Sequence, residues 1–431
     1  MDSNEALSWL ESYTQYGWKF GLDRINILCE LLGNPQNDLA CIHVGGTNGK
    51  GSVCRYLTSI LHHAGYTVGT YLSPHLERFN ERILINNTEI SSEELTQLII
   101  KIKPCVELMK RQNKTPTFFE IVTALAFCYF QEKHVDYVVL EVGLGGRYDA
   151  TNVVVPLVSV ITNISLEHTN ILGNSLESIA FEKAGIIKDN VPVVTASDRK
   201  AREVIELVAR EKKAPLILVH DTQWKRLSSA LNNQEFFIHG TLKDYVVRTS
   251  LLGEYQGENI ALAIHAVEQL QLKGVYLSDN DVIQGISQAV HPGRMEIFSS
   301  EPLIVLEGAH NPMGMEMLRK TLQQDFRYEN LIVVLGILKD KDIDMMIQSI
   351  VPLADLVVLT KSNNPRASEP EHIREKILGK GFNKTIHSTE NIPSAVDYAL
   401  QHAGKKDLIC ITGSLFTVGE ARTYLRGKKM F

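Results

Sequence analysis

Hydrophobic positions along the chain change repeatedly from short continuous runs to longer stretches with helical spacing, which predicts alternating strands and helices. The short runs predict strands at 39–44, 67–71, 136–141, 157–162 and 192–195. The helical spacing predicts helices at 4–15, 23–32, 53–64, 91–110, 118–132, 176–184, 199–212, 258–271 and 279–289. A polar loop is expected at 73–87 and a less regular β-rich stretch at 215–255. This alternation is typical of a mostly parallel sheet with flanking helices.

A break in the pattern falls at His291-Pro292-Gly293-Arg294, after which strands followed by helical segments resume. The resumed strands are predicted at 303–306, 331–336, 356–360, 384–387 and 408–412. Since 431 residues are long for one core, two domains are expected. We predict an α/β protein with a mostly parallel N-terminal sheet domain at 1–293, a hinge at 294–299 and a smaller Rossmann-like α/β domain at 300–431. Open parallel sheets bind ligands at the carboxyl ends of their strands, so an active site is expected between the domains.

The composition narrows the class of protein. Hydrophobic residues make up 44% and charged residues 22% of the chain, as in ordinary soluble globular proteins. The net charge of −6 argues against a nucleic-acid surface, which needs a broad basic face. The six cysteines include no C-x-x-C pair, which favours reduced thiols over a zinc site or disulfides. The start of the chain lacks the pattern of a secretory signal, and the longest apolar stretches are about half a membrane span. We therefore expect a cytoplasmic protein that binds neither nucleic acid nor a membrane.

A glycine-rich heptapeptide, Gly46-Thr47-Asn48-Gly49-Lys50-Gly51-Ser52, separates a predicted strand from a predicted helix. Backbone N–H groups at such a turn point at a bound polyanion, the helix dipole adds partial positive charge, and Lys50 adds a full charge. The general P-loop pattern is not matched as written, because Val44 holds its first glycine position and Gly51 moves the hydroxyl to Ser52. A strand–helix turn without a ligand is the alternative. We predict that all seven residues bind ATP, in a P-loop-type N-terminal domain.

Further segments on both sides of the break form a series with this heptapeptide. They are residues 71–85 and 140–152, Ser165-Leu166-Glu167-His168-Thr169, Ala180-Phe181-Glu182-Lys183-Ala184-Gly185, Pro292-Gly293-Arg294-Met295-Glu296, Glu307-Gly308-Ala309-His310-Asn311-Pro312, Asp340-Lys341-Asp342 and Thr412-Gly413-Ser414-Leu415. The series closely resembles the folylpolyglutamate synthase/dihydrofolate synthase family of the Mur-ligase-like superfamily of ATP-dependent amide ligases. The resemblance extends over residues 22–417, with the motifs in family order.

The resemblance implies an ATP-dependent acid–amino-acid ligase. In this family the γ-phosphoryl group of ATP is transferred to the carboxylate of a pterin substrate, and the amine of L-glutamate attacks the acyl phosphate. The implied substrates are a folate or dihydropteroate, L-glutamate and ATP, and a monomer is expected. Residues 143–152 resemble the bifunctional form, which also adds the first glutamate to dihydropteroate. A Mur-type peptide ligase and a P-loop kinase or ATPase are the alternatives, which the 73–82 loop and Gly308-Ala309-His310-Asn311-Pro312 disfavour.

The resemblance also implies roles for residues around the phosphates. Phosphoryl transfer brings two anions together, so two Mg²⁺ ions and cationic side chains are expected to neutralise them. The implied metal ligands are Ser52, Ser73, Glu141 and His168. The implied catalytic residues are Lys50, Glu141, His168 and Lys183. Many family members carry the lysine that matches Lys183 as a carbamate; a solvated lysine paired with Glu182 or Glu177 is the alternative.

Other residues match positions that bind nucleotide or substrate in the family. The nucleotide positions are Asn259, Gln256, Arg294 and Glu307, and the substrate positions are Phe79, Arg82, Tyr148, Asp149, His310 and Ser414. Aromatic rings suit a flat pterin, and an arginine can hold a carboxylate bidentately. A surface charge is the alternative for Arg82, and a helix N-cap is the alternative for His310-Asn311. Glu307 and Glu167 stand where the family usually has aspartate, which changes the reach of both carboxylates.

Overall fold

The structure is a computed structural model that describes residues 1–17 and 19–428. Its largest sheet is mostly parallel, with strands in the order β4-β3-β2-β5-β1-β6-β7-β8. These strands are β1 (Cys41–Gly45), β2 (Val68–Tyr71), β3 (Ile83–Ile85), β4 (Thr88–Glu89), β5 (Tyr137–Glu141), β6 (Val158–Ile161), β7 (Val193–Thr195) and β8 (Leu216–Leu218). Only β3 and β4 run antiparallel to their neighbours among the described strands of this sheet.

Helices cover both faces of this sheet. They are α1 (Ser3–Glu11), α2 (Asp23–Leu31), α3 (Lys50–His63), α4 (Ser92–Arg111), α5 (Phe118–Glu132), α6 (Thr169–Leu172), α7 (Leu176–Ala184), α8 (Arg199–Glu211), α9 (Gln256–Leu272) and α10 (Asp279–Gln288). Successive residues of β1 point to opposite faces, so Ile42 and Val44 pack with α3 and α9 while Cys41 packs with α5. Burial on both faces explains why the parallel strands are continuous apolar runs.

A small antiparallel sheet covers the outer side of α9. Its strands, in the order β11-β10-β9, are β9 (Trp224–Ala230), β10 (Asn233–His239) and β11 (Asp244–Thr249). Alternate residues of β11 are buried, and Phe236 and Ile238 of β10 join the core around α9. The sheet places Trp224 close to the N-terminus of α9.

The C-terminal part of the chain forms a third sheet, in the order β12-β13-β17-β14-β15-β16. Its strands are β12 (Glu296–Ser300), β13 (Leu303–Glu307), β14 (Leu331–Leu335), β15 (Leu356–Leu359), β16 (Thr385–Ser388) and β17 (Leu408–Thr412). Its helices are α11 (Pro312–Asp325), α12 (Ile343–Ile350), α13 (Pro370–Gly379), α14 (Ile392–His402) and α15 (Leu415–Gly427). All its described pairings are parallel except that of β12 with β13. Short 3₁₀ helices lie at Ser12–Tyr16, Pro35–Asp38, Phe79–Arg82, Ala150–Val153, Asp221–Gln223 and Val351–Leu353.

The structure confirms the predicted α/β class and most predicted elements. The helices at 118–132 and 176–184 have the predicted bounds, and Ser91 with Glu94 forms a capping box at the start of α4. The loop expected at 73–87 was wrong in part, because it contains β3. Only three residues of β3 pair, too few for a periodic signal.

The predicted hinge at 294–299 overlaps β12, which pairs with β13 and belongs to the C-terminal sheet. The domain boundaries at 293 and 300 stay predictions; residues 18 and 429–431, which fall in those ranges, lie outside the described residues. Within 1–17 and 19–428, no helix is both long and apolar enough to cross a membrane.

Candidate active site

The glycine-rich loop follows β1, as the sequence predicted, but α3 begins at Lys50, three residues before the predicted start at 53, and so includes the end of the heptapeptide. Gly46 has φ 129°, and a Cβ atom there would lie 1.8 Å from Thr162 Oγ1. Gly49 has φ 88°, and its Cβ would lie 2.2 Å from Asn259 Oδ1. Both positions therefore require glycine, for conformation and for space. The Lys50 ammonium lies back over this loop, donating to Gly46 O at 3.2 Å and Thr47 O at 2.9 Å.

Two backbone amides of the loop have partners within the protein and so do not face a ligand. Thr47 N donates to Asn163 O at 2.7 Å, and Asn48 N donates to Asn163 Oδ1 at 3.0 Å. These two amides fasten the loop to the end of β6. The first-turn amides of α3, from Gly49 to Ser52, lack intrahelical partners because they begin the helix. The amides of this loop that stay available to a ligand are therefore those at the start of the helix.

Glu141 ends β5 beside this loop. Its side chain is 6% exposed, and Oε2 accepts a hydrogen bond of 2.8 Å from Ser73 N. Burial raises the pKa of Glu141, while the positive charge of Lys50 opposes that rise. Ser52 Oγ lies 3.2 Å from His291 Nδ1, and a Cβ at Gly51 would come within 3.7 Å of Glu141 Oε1. Serine and carboxylate oxygens thus meet at the start of α3.

His168 follows β6 and lines the same cleft, in a left-handed conformation with φ 51°. Burial lowers the pKa of His168 to about 4, so the imidazole is neutral at pH 7. Its neighbour Glu167 reaches across the cleft, with Oε1 at 3.5 Å from His168 Nε2, 3.4 Å from His310 Nε2 and 3.5 Å from Lys341 Nζ. Burial opposes ionisation of Glu167, but the hydrogen bond with His310 and nearby positive charges hold its pKa well below the usual range.

Lys183, on α7, points its amine at the glycine-rich loop. The side chain is 4% exposed, and Nζ donates to Gly46 O at 2.6 Å. Burial and the charge of Lys50 lower the pKa of Lys183 to about 7. The alternative of a solvated lysine paired with Glu182 or Glu177 was wrong, because the amine is buried and contacts the loop instead.

Two nucleotide positions predicted in the C-terminal part lie together at the cleft. Arg294 Nη1 donates to Gly308 O at 3.2 Å and lies 3.5 Å from Glu307 Oε1. Glu307 Oε2 accepts from Met295 N at 2.7 Å. Burial raises the pKa of Glu307, against the charge of Arg294. The Glu307 carboxylate thus holds the segment that carries Arg294.

Asn259 lines the cleft beside Gly49, whereas Gln256 does not. Gln256 is fully buried, and its Oε1 accepts from Asn259 Nδ2 at 3.0 Å and from Tyr56 OH at 3.4 Å. A direct nucleotide contact of Gln256 was therefore a wrong expectation, and its side chain orients Asn259 instead. The predicted N-cap at the start of α11 is Asn311, whose Oδ1 accepts from Gly314 N at 2.7 Å.

Asn311 also spans the cleft, since its Nδ2 donates to Asn48 Oδ1 at 2.9 Å. His310, the residue before this cap, faces the cleft as predicted.

Five predicted substrate residues do not line the cleft. Phe79 and Arg82 are buried, with the Arg82 guanidinium over Phe118 and its Nε donating to His75 Nδ1 at 2.9 Å. Arg82 is therefore neither a surface charge nor a guanidinium that is free to hold a substrate carboxylate bidentately. Tyr148 is exposed and packs edge-on against Phe20, with ring centroids 5.9 Å apart.

The other two residues of this group cap helices. Asp149 is 1% exposed; its Oδ1 accepts from Thr151 N at 3.0 Å and its Oδ2 accepts from Leu144 N at 2.9 Å. Ser414 is 1% exposed and accepts from Thr417 N at 3.0 Å as the N-cap of α15. Both side chains thus fix the backbone of segments near the cleft, and neither side chain lines the cleft.

The remaining predicted residues line one cleft with a cavity volume of about 370 Å³. Sequence reasoning missed other residues on its walls, namely Asn163, Trp224, Tyr255, Glu258 and His291. Trp224 and Tyr255 offer aromatic surface beside Asn259, suited to a nucleobase. Only His291 had a sequence signal, its place at the break before Arg294. The described residues include no group of three or more His, Cys, Asp or Glu side chains arranged to hold a metal by themselves.

Comparisons with known proteins agree with this geometry. The family model described as "Mur ligase middle domain" matches residues 44–267, and "Mur ligase, glutamate ligase domain" matches residues 293–415. A Bacillus subtilis dihydrofolate synthase/folylpolyglutamate synthase is 40% identical over an alignment of 430 residues, which covers 98% of this chain and 99% of that protein.

Two solved structures resemble the whole chain. The Mycobacterium tuberculosis folylpolyglutamate synthase complexed with ADP has a TM-score of 0.91 and 33% identity, covering 99% of this chain and 100% of that one. An Escherichia coli protein in complex with DHPP and ADP has a TM-score of 0.87 and 31% identity, covering 98% of each chain.

Proposed function

The chain belongs to the Mur ligase family, and within it to the folylpolyglutamate and dihydrofolate synthases, and on this basis we propose that it joins L-glutamate to a folate. It is an ATP-dependent ligase, in which ATP activates the folate carboxylate as an acyl phosphate and the glutamate amine displaces phosphate. We extend the proposal to dihydropteroate, because the Bacillus subtilis relative carries both names. ATP as substrate suits a cytoplasmic enzyme.

The observation that carries this proposal is the shared cleft. The glycine-rich loop and Glu141 reach it from the N-terminal part, and Arg294 and His310 reach it from the C-terminal part. A ligase needs this arrangement, since closure around the acyl phosphate excludes the water that would hydrolyse it. One chain supplies both walls, so a monomer suffices.

The loop and its helix suit a triphosphate. Lys50 and the first-turn amides of α3 would bind the β- and γ-phosphates, and the positive helix end adds to their attraction. Asn259, with Trp224 and Tyr255, would hold the base and ribose. Arg294 approaches the phosphates from the other wall, where its charge stabilises the transition state.

The chain's oxygen donors fit magnesium. Glu141 and Ser52 offer a buried carboxylate and a hydroxyl, and Mg²⁺ usually keeps several waters and substrate phosphates besides one or two protein oxygens. An incomplete protein shell, as found here, is therefore what such a site requires. Ser73 and the neutral His168 are our proposed contacts for a second ion. Bound Mg²⁺ would neutralise phosphate charge and polarise the transferred phosphoryl group.

A product assay tests the function. The purified protein would be supplied with ATP and glutamate, and with either dihydropteroate or tetrahydrofolate in parallel. We expect one ADP for each amide formed, with products heavier by one or more glutamate residues on mass spectrometry. Release of ADP without glutamate would instead support a kinase or ATPase. If the protein extends tetrahydrofolate but not dihydropteroate, the proposed activity on dihydropteroate is wrong.

Lys183 should carry a carbamate whose occupancy depends on pH. Carbon dioxide reacts only with the neutral amine, and the low pKa of Lys183, about 7, makes that form abundant at neutral pH. Below this pKa the neutral fraction falls by about tenfold for each pH unit, so bicarbonate should restore activity at pH 8 and much less at pH 6. Activity in buffers stripped of carbon dioxide measures this, with ¹³C NMR of a ¹³CO₂ adduct.

A matched control is Lys188, whose pKa burial also lowers but whose Nζ donates to Asn152 O away from the cleft. The carbamate signal should vanish in Lys183→Met and persist in Lys188→Met. Equal signals in both variants, or activity indifferent to bicarbonate at pH 8, would contradict the assignment.

A further inference from the structure

The loop that follows β2 docks against the C-terminal helix α15, outside the cleft. Leu76 makes this contact through its backbone, since a Cβ at Gly419 would lie 1.9 Å from Leu76 O. A Cβ at Gly293 would likewise lie 2.9 Å from Leu76 Cδ2. The N-terminal loop thus fits between two glycines of the C-terminal part, with no room for a side chain at either.

Ion pairs surround this contact. Arg422 of α15 donates through Nε to both carboxylate oxygens of Glu296, at 3.0 and 2.9 Å, and through Nη1 to Glu77 of the loop. Thr423 Oγ1 donates to Glu77 Oε1 at 2.9 Å. The side chains of Arg422 and Glu77 are each 9% exposed, so solvent and salt screen their attraction little. We call Glu77, Glu296 and Arg422 the clasp.

The loop that carries Glu77 is internally stiff. The carboxylate of Glu81 accepts hydrogen bonds from Leu76 N at 2.7 Å, Glu77 N at 2.9 Å and Arg78 N at 2.8 Å. Three charge-assisted bonds fix the backbone on either side of Glu77. A displacement of α15 would therefore move the loop as a unit.

The other end of the same loop reaches the reacting groups. Ser73 N donates to Glu141 Oε2 at 2.8 Å, and Glu141 is our proposed magnesium ligand. Through the loop that begins at Ser73, the clasp therefore connects α15 to Glu141, the carboxylate that we propose binds magnesium. It is separate from the contacts that cross the cleft itself, where Asn48 meets Asn311.

We propose that Glu77 and Arg422 are positioning residues that keep the cleft closed while the acyl phosphate exists. The inference rests on the proposed function. In the productive step the glutamate nitrogen bonds to the acyl carbon, the bond from that carbon to the phosphate oxygen breaks, phosphate leaves with the electron pair, and the amine loses a proton. When water attacks the same carbon, the free acid and phosphate form, and ATP is spent without an amide. Loosening the clasp admits this water.

Glu77→Gln tests the proposal, since it removes one charge and keeps the shape and hydrogen-bonding capacity of the side chain. The ratio of phosphate released to amide formed should rise about threefold or more, while kcat for ADP release changes less. Glu89→Gln is the matched control: Glu89 pairs with Arg78 of the same loop at 3.0 Å on the exposed surface, without contact to α15. In Glu89→Gln the ratio of phosphate released to amide formed should stay at the wild-type value.

Hydrogen exchange of the ligand-free protein provides a second readout. Amides of residues 75–78 should exchange faster in Glu77→Gln than in the wild type or in Glu89→Gln. Arg422→Gln combined with Glu77→Gln should raise the phosphate ratio by less than the sum of the two single effects, because both variants remove the ion pair between Arg422 and Glu77.

If Glu77→Gln keeps the wild-type ratio of phosphate to amide and the wild-type hydrogen exchange, the proposed role of the clasp is wrong, while the ligase function stands. A wild-type protein that forms no amide would overturn the proposed function and, with it, the coupling role. Faster exchange with a raised ratio supports the proposal.

Discussion

Replacing Lys50 with alanine is expected to lower kcat by about 10²–10³-fold while leaving the fold intact. Lys50 begins α3 within the glycine-rich heptapeptide, and its ammonium donates hydrogen bonds to the carbonyls of Gly46 and Thr47. Removing it takes away a cation that we propose binds the phosphates, whereas the side chain is only partly buried. Steady-state ADP release at saturating folate and glutamate measures kcat, and a thermal melt checks the fold.

Lys50→Arg and Lys361→Ala serve as controls for this result. Arginine keeps the charge and should retain more activity than alanine, although its planar head fits a point-charge site less well. Lys361 is a partly exposed residue that pairs with Glu369 outside the cleft lining, so its loss should leave kcat unchanged. A kcat near the wild-type value in Lys50→Ala would remove Lys50 from the mechanism.

Replacing Glu141 with glutamine is expected to lower kcat by about 10²-fold or more and to raise the Mg²⁺ concentration needed for half-maximal activity. Glutamine keeps an oxygen that can accept from Ser73 N, so the 2.8 Å hydrogen bond survives and the loop stays in place. What is lost is the negative charge that a hard divalent cation requires. Magnesium titrations of activity separate this effect from a fault in folding.

Glu254, an exposed carboxylate at the same cleft, gives the matched control. Its glutamine variant should keep the wild-type dependence on Mg²⁺. If Glu141→Gln had that dependence too, with kcat preserved, then Glu141 would be a structural acceptor for Ser73 and no metal ligand. A lowered kcat at every Mg²⁺ concentration, without a shift in the titration, would assign Glu141 to positioning alone.

The predicted elements succeeded where burial was uniform and missed the short strand β3 and the edge strand β12. The run at 136–141 is apolar because β5 lies in the middle of the largest sheet, so its strand character could be read directly. The edge strand β12 mixes polar and apolar residues and pairs on one side only, so nothing marked it. The capping box of α4 was predictable because it depends on neighbouring residues.

Site residues followed a similar division. Glu141 ends the predictable strand β5, and Lys50 follows the predictable strand β1 after a short loop; the parallel sheet brings the ends of these strands together. Arg82 and Ser414 match substrate-binding positions of the family. In the structure both are buried, because Arg82 packs against Phe118 and Ser414 caps α15. Sequence reasoning could not distinguish an arginine that faces a ligand from one that faces an aromatic core.

By itself the sequence determined the α/β class, the glycine-rich loop and the family, because these depend on local spacing and on motif order along the chain. Only the tertiary structure decided that Asn163 holds the loop amides, that Glu167 contacts His310, and that Glu77 meets Arg422. Each of these contacts joins residues far apart in the chain. Local periodicity has no information about such pairs, since their distance is fixed by how sheets and helices pack against one another.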